Sequence, residues 1–289
     1  MMFQKMARKP RWLLTAMVAL LALVGNVLVP LLLNQEALAA GSLPCDIYAA
    51  AGTPCVAAHS TVRALLSAYN GRLYQVKRSS DSATTDIGTL TAGGFANAAT
   101  QDSFCAGTSC TITIIYDQSG RSNNLTIEAQ DHAANASALP LTVSGHKVYG
   151  LYVTPGVGYR DDSTSGVAKN GAPEGMYMVV SGTHFNNQCC FDYGNAETSN
   201  TDTGNGHMDA VNFGTECEFA PCSGSGPWVM ADLENGLYSG GNGNNLNNKG
   251  NSSAFVTALL KNNGQNTYAI KGGNAQSGAL STWYSGHTY

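Results

Sequence analysis

The chain has 289 residues, of which 12% are charged, with 33 glycines and eight cysteines. That length suits one large all-β domain or two small ones. Beyond residue 39 there are 11 Lys and Arg against 18 Asp and Glu, and this mild acidity argues against nucleic acid and anionic membrane surfaces as partners.

Residues 1–39 read as a signal peptide. Lys5, Arg8, Lys9 and Arg11 precede an apolar run from Trp12 to Leu33, and Ala37-Leu38-Ala39 supplies small residues for cleavage. The run is nearly long enough to span a bilayer, but Asn26, Pro30 and the Ala-x-Ala site favour cleavage over a retained anchor. The expected product is secreted. Its low charge and abundant Gly, Asn, Ser and Thr suit recognition of neutral, hydroxyl-rich ligands.

All eight cysteines lie in the exported part and fall into close pairs: Cys45/Cys55, Cys105/Cys110, Cys189/Cys190 and Cys217/Cys222. An even count in an oxidising compartment reads as disulfides. There is no C-x-x-C pair and no His pair at metal spacing, so no metal site is expected. No strand–helix pattern surrounds the Gly-rich strings, which argues against a phosphate loop.

In chain order, Thr61–Tyr69 has apolar residues at helical spacing after Ser60, and a helix is expected there. Beyond it, apolar runs are short and turn residues recur, as in a sandwich. Thr111–Tyr116 is β-branched and Asp117–Gly120 closes it as a turn, which Asp117 would cap. Met176–Val180, Val229–Leu233, Ala254–Leu260 and Tyr268–Lys271 are further strands, though Ala254–Leu260 also fits a helix turn. The polar, low-complexity stretch Gly240–Ser253 reads as a mobile loop.

Two stretches carry chemistry. Trp228–Glu234 leaves a Gly/Pro-rich turn as a strand, and Asp232 and Glu234, two residues apart, would share one face. Asn235-Gly236 then supplies turn chemistry, which puts Glu234 at a strand end. By itself this also fits a solvated strand edge. Cys189-Cys190 is the second. Adjacent Cα atoms are about 3.8 Å apart, below the usual disulfide span of roughly 4.4–6.8 Å. A bridge there closes an eight-membered ring and almost no chain loop, so it offers a flat apolar surface instead of loop entropy. The alternative is two thiols bonded elsewhere or left free. His184 and His207 lie near these stretches and read as loop hydrogen-bonders or cleft lining, and Asp192 as support for a pocket loop.

The strings CCFDYGNAET (from Cys189) and ADLENG (from Ala231), with Cys45–Arg78, Phe104–Thr126, Glu174–Ala210 and Lys271–Gly286, resemble the catalytic domain of the fungal-type α-L-arabinofuranosidase B family, glycoside hydrolase family 54, in order. The resemblance implies an all-β, disulfide-bridged β-sandwich of concanavalin or jelly-roll type over residues 40–289, with one short helix near its N-terminus. It implies a secreted, exo-acting enzyme that releases terminal arabinofuranose from arabinoxylan or arabinan with retention, needing no cofactor. The partners would be arabinose-containing plant cell-wall polysaccharides, and the protein a monomer. Glu234 would be the nucleophile of a carboxyl pair about 5–5.5 Å apart. Asp232, Asn235 and Gly236 would bind the sugar, and Cys189–Cys190 would lie against it. The Cys45–Cys55, Cys105–Cys110 and Cys189–Cys190 bridges follow from the resemblance. Cys217 and Cys222 lie outside the family pattern, and a local fourth bridge is expected.

Two departures matter. Phe219 stands where the family carries Trp, which puts the pocket wall and the leaving-group preference in question. The family's general acid/base is an aspartate far downstream of the nucleophile, yet no Asp or Glu follows Glu234 here; Gly272-Gly273-Asn274 belongs to a different segment. The acid/base and an arabinose-binding β-trefoil are therefore expected beyond Tyr289. A lectin-like module without turnover and a glycosidase of altered furanoside specificity are the alternatives.

Overall fold

The structure is a computed structural model, described here for residues 42–169, 171–195, 208–218, 222–234, 236–240, 247–264 and 267–287. Residues 1–39, expected to be a signal peptide, and His207, Phe219 and Asn235 lie outside the described residues.

The elements begin with α1 (Pro44–Ala50), β1 (Arg72–Arg78), β2 (Thr84–Gly88), α2 (Ala98–Phe104), β3 (Cys110–Ile115), β4 (Leu125–Ile127), β5 (Leu139–Val143), β6 (His146–Gly150) and β7 (Tyr159–Arg160). They continue with β8 (Glu174–Ser181), β9 (Asp192–Asn195), β10 (Asp209–Gly214), β11 (Trp228–Leu233), β12 (Gly236–Tyr238), β13 (Phe255–Asn262), β14 (Thr267–Asn274) and β15 (Ser281–His287). The four close cysteine pairs are all bridged, Cys217–Cys222 included. The chain forms two compact units, one from the described part of Met1–Ile112 with Asn135–Tyr152, the other from Thr113–Ala134 with Val153–Tyr289.

In the first unit, β1 and β2 form one antiparallel hairpin and β5 and β6 another. Leu73, Tyr74, Val76, Ile87 and Val148 are fully buried in it. A buried polar chain crosses this core. Tyr74 donates to Gln101 Oε1 at 2.7 Å, and Gln101 Nε2 donates to the Ala136 carbonyl at 2.8 Å, so neither polar group costs its desolvation unpaired.

The helix expected at Thr61–Tyr69 does not form; those residues are bends and turns with a bridge from Arg63 to Phe95. Their backbone groups bond outward instead. Ala64 N–H donates to Gly94 O, Ala96 N–H to Val62 O and Cys45 N–H to Leu65 O. Ser60 Oγ accepts from Val62 and Arg63, closing a local side-chain turn where a cap was expected. Tertiary pairing outbids a weak helical spacing. The N-terminal helix is α1, opened by Pro44 with Asp46 accepting from Leu43 N–H, and α2 follows after an Asn97 cap.

The second unit is the sandwich. One sheet runs β12-β11-β10-β9 and the other β15-β14-β13-β8, each antiparallel throughout. Their facing sides share one core that includes Met176, Val180, Val211, Phe213, Val229, Val256, Leu260 and Ile270. The strands expected at Thr111–Tyr116, Met176–Val180, Val229–Leu233 and Tyr268–Lys271 are β3, β8, β11 and β14. Ala254–Leu260 is strand β13 and not a helix turn, with alternate residues Val256, Ala258 and Leu260 buried as period two requires.

Strand β11 is buried on both faces. Val229 and Ala231 enter the sandwich core, while Trp228 and Met230 pack on the opposite side with Leu237, Cys217 and Cys222. The described end of the Gly240–Ser253 stretch is anchored, contrary to the mobile loop expected. Asn248 is 1% exposed and donates to the carbonyls of Val229 and Ser239 at 2.9 and 3.0 Å. Gly250 lies so close to Gly226 that a Cβ would meet its Cα at 2.5 Å, so only glycine fits.

Candidate active site

The site is built on the β11 face that turns away from the sandwich core. Alternation along the strand puts Trp228, Met230 and Asp232 on that face. Leu233 pairs with Gly236, so Glu234 follows the last paired residue of β11 in the connection to β12. The turn expected at Asn235-Gly236 is thus one residue earlier: Gly236 already pairs, at φ +121°, a conformation that favours glycine. Glu234 sits at the hairpin tip.

Asp232 is 4% exposed. Its carboxylate lies within 4.8 Å of both Cys189 Sγ and Cys190 Sγ, so the sulfur pair and the acid line one wall. The disulfide itself is exposed. Asp192 stands on β9, across β10 from Asp232. Burial first, then Asp192, then the charge of Glu218, push the Asp232 carboxyl up to about 9. Around this strand end, Asn212 Oδ1, Asp232 Oδ2 and Glu234 Oε1 are buried acceptors with no hydrogen-bond partner among the described residues. Buried acceptors are ordinarily satisfied, so these three are suited to ligand hydroxyl groups.

Asp232 and the cysteines are thus brought together as expected, and Glu234 lies two residues beyond Asp232. Asp192 lies on strand β9 and is among the causes that raise the Asp232 carboxyl. Phe219 and Asn235 lie outside the described residues. Asn212 and Glu218 were not foreseen. Asn212 is the single polar residue among the four positions that end β10 (Val211–Gly214), a signal that was available. Glu218 Oε2 accepts from Leu237 N–H at 3.0 Å, a pairing across 19 residues that leaves no trace in the sequence. His184 Nε2 is hydrogen-bonded with the Val153 carbonyl at 2.8 Å, a structural role. Asp117 caps its turn, accepting from Ser119 and Asn123 N–H. Cys189, Cys190 and Asp232 are close enough for metal ligation, but each sulfur is bonded to the other, which leaves one carboxylate as the charged ligand and a poor fit for a cation.

Fold and site together define a disulfide-bridged β-sandwich domain with an acidic strand end that carries unsatisfied buried acceptors. Residues 44–288 match the family model described as alpha-L-arabinofuranosidase B, catalytic, and the chain belongs to that family. It is 59% identical over 255 residues to a "Probable alpha-L-arabinofuranosidase B" of Aspergillus terreus, covering 84% of this chain and 50% of that one. It is 59% identical to an "Alpha-L-arabinofuranosidase" of Hypocrea jecorina, covering 86% and 53%. Among solved structures, a GH54 arabinofuranosidase soaked with a cyclic sulfate inhibitor superposes with TM-score 0.82 at 52% identity, covering 85% of this chain and 53% of that one. An arabinofuranosidase complexed with arabinofuranosyl-alpha-1,2-xylobiose gives 0.81 at 51%, with the same coverage. The chain spans about half the length of the curated relatives it matches.

Proposed function

We propose that this domain is the catalytic domain of a secreted, retaining, exo-acting α-L-arabinofuranosidase acting on arabinose-bearing plant cell-wall polysaccharides. The observation that carries this reading is the Glu234 carboxylate at the hairpin tip, two residues beyond Asp232, with a buried oxygen left unpaired, on the strand whose Asp232 lies against the Cys189–Cys190 wall. Family membership supports it. So does the relative complexed with an arabinofuranosyl-xylobiose, a branched ligand of the arabinoxylan type.

In this reading Glu234 attacks the anomeric carbon and displaces the glycosidic oxygen, which takes up a proton as it leaves. Water then opens the glycosyl–Glu234 ester, and the second inversion gives net retention. Asp232, with Asn235 and the Gly236 backbone, orients the furanose hydroxyls. The flat sulfur pair offers the ring an apolar platform, with Phe219 proposed as part of the pocket wall. Preorganised contacts of this kind convert binding into alignment of the reacting atoms. Asp232 is assigned to sugar binding and not to proton donation.

The test is covalent capture. An arabinofuranose-configured cyclic sulfate should add once, on the peptide that carries Glu234, and Glu234→Gln should abolish the adduct while the far-ultraviolet spectrum is unchanged. Labelling elsewhere, or none, overturns the assignment and favours a binding module without turnover.

A further inference from the structure

The hairpin that carries Glu234 has a short second strand. β12 has three residues and forms an edge of its sheet, with Leu237 paired to Asp232 and Gly236 to Leu233. In an antiparallel ladder, alternate residues turn their N–H and C=O groups away from the neighbouring strand. Leu237 is such a residue, because its N–H donates to Glu218 Oε2 at 3.0 Å, an acceptor outside the ladder. Its side chain is 1% exposed and packs with Trp228 and Met230 against Cys217 and Cys222. One segment thus grips both the backbone and the side chain of Leu237.

That segment is closed on itself by the Cys217–Cys222 bridge, at a sequence separation of 5 and a Cα–Cα distance of 6.2 Å. Its two ends hold different strands of the hairpin. Glu218, next to Cys217, accepts from Leu237 on β12. Ser223, next to Cys222, offers its carbonyl to Trp228 Nε1 on β11 at 2.7 Å, and both of these residues are buried. The bridge fixes the spacing between the two anchors, so β12 cannot shift against β11 without stretching one of them. A loop this short gains less unfolded-state entropy than a long one. What the bridge adds is a link across the two strands that flank Glu234.

We infer that Glu218 and the Cys217–Cys222 bridge form a clamp that holds Glu234 in place, with Glu218 a positioning residue for the nucleophile. Glu218 touches no reacting atom in this role. It fixes Leu237, and with it the neighbouring Gly236–Leu233 pair, which sets the backbone position of Glu234. The nucleophile half of this inference rests on the proposed function; the clamp half rests on the two hydrogen bonds and the bridge. A misplacement of about 1 Å at a reacting group costs on the order of 10²-fold in rate. Loosening the clamp therefore slows bond formation at Glu234 more than it weakens binding.

The experiment follows capture of Glu234 by the arabinofuranose-configured cyclic sulfate, resolved into a maximal rate and a half-saturating concentration. Hydrogen exchange at the Leu237 amide, read by nuclear magnetic resonance, is measured on the same samples, well below the melting midpoint of each. Glu218→Ala should lower the maximal rate roughly tenfold or more, leave the half-saturating concentration little changed, and open the Leu237 amide to exchange. Glu218→Gln keeps an acceptor oxygen and should restore most of the rate and of the protection. The double variant Cys217→Ala/Cys222→Ala should slow capture as Glu218→Ala does; should it not fold, the two Glu218 variants decide the matter. Variants that melt lower but are captured at the parental rate reduce the clamp to a stability element and overturn the inference. So does a Leu237 amide that stays protected in Glu218→Ala. If the unsubstituted protein is not captured at all, the proposed function falls and the nucleophile half falls with it. Loss of Leu237 protection in Glu218→Ala, with its recovery in Glu218→Gln, then still upholds the clamp.

Discussion

Glu218 accepts a hydrogen bond from the Leu237 backbone N–H at 3.0 Å, and this bond ties the Cys217–Cys222 bridge to the strand that returns from Glu234. The acid at the hairpin tip is therefore braced from both strands. β11 is held by its ladder to β10. β12 is held by β11 and by a carboxylate that also raises the Asp232 ionisation.

Glu218→Ala should cost about 1–2 kcal/mol, because it leaves the Leu237 N–H without that acceptor and removes side-chain packing. Glu218→Gln keeps an acceptor oxygen and should cost less than half as much. Urea unfolding of the two variants measures the difference. Equal losses would mean that charge, and not the hydrogen bond, is what matters at this position.

Removing two different disulfides should separate stability from binding. Cys45 and Cys55 close a loop at a sequence separation of 10, and replacing both with Ala should cost about 2–3 kcal/mol. Cys189 and Cys190 are adjacent and close almost no loop. Their double Ala variant should unfold within about 1 kcal/mol of the parent but bind methyl α-L-arabinofuranoside at least roughly tenfold more weakly, through loss of the apolar platform. Thermal melts and calorimetry on the same samples decide it.

Glu174 gives a pH dependence of stability. Burial raises its carboxyl from 4.5 to about 7, the Asn195 hydrogen bond opposing and the neighbouring Asp209 adding to the rise. The folded protein thus keeps a proton that the unfolded chain releases above pH 4.5, and stability should fall as pH rises from about 4.5 to 7. Glu174→Gln should flatten this part of the profile and gain on the order of 1–2 kcal/mol at pH 8, allowing for the partial exposure of the group. Denaturant midpoints at pH 5 and pH 8 test the sign. A larger gain at pH 5 would contradict it.

The leaving group should govern turnover by these 289 residues. General acid help is worth about 10²–10⁴-fold, and none of Asp192, Glu218 and Asp232 is assigned to it. A 4-nitrophenyl arabinofuranoside, whose leaving group needs little protonation, should release nitrophenol in a slow burst, while arabinoxylan should yield no arabinose. Full polymer hydrolysis would make Asp232 or Asp192 the acid, and a second substitution, Asp232→Asn or Asp192→Asn, would identify which.

Local chemistry was legible in the sequence wherever one residue type decides the outcome. The β-branched run Thr111–Tyr116 buries alternate residues as a strand, whereas Ala254–Leu260 fitted a strand or a helix turn until its pairing with β8 and β14 decided it. Eight cysteines in close pairs pair locally. The spacing of Asp232 and Glu234 put two carboxylates at a strand end but fitted a solvated edge equally; the resemblance carried by ADLENG is what singled out Glu234. What the sequence could not rank was competition between local and distant partners. Thr61–Tyr69 has helical spacing, but Gly94 and Phe95 offer its backbone better bonds. The polar stretch around Asn248 looks disordered until the Val229 and Ser239 carbonyls are seen to need a donor. The electrostatics of the pocket were decided by tertiary structure alone. Asp192 lies 40 positions before Asp232, and only the register of β9, β10 and β11 brings them to one side of the sheet. A carboxylate's ionisation depends on burial and on neighbours within a few ångströms, and those distances exist only once the chain has folded.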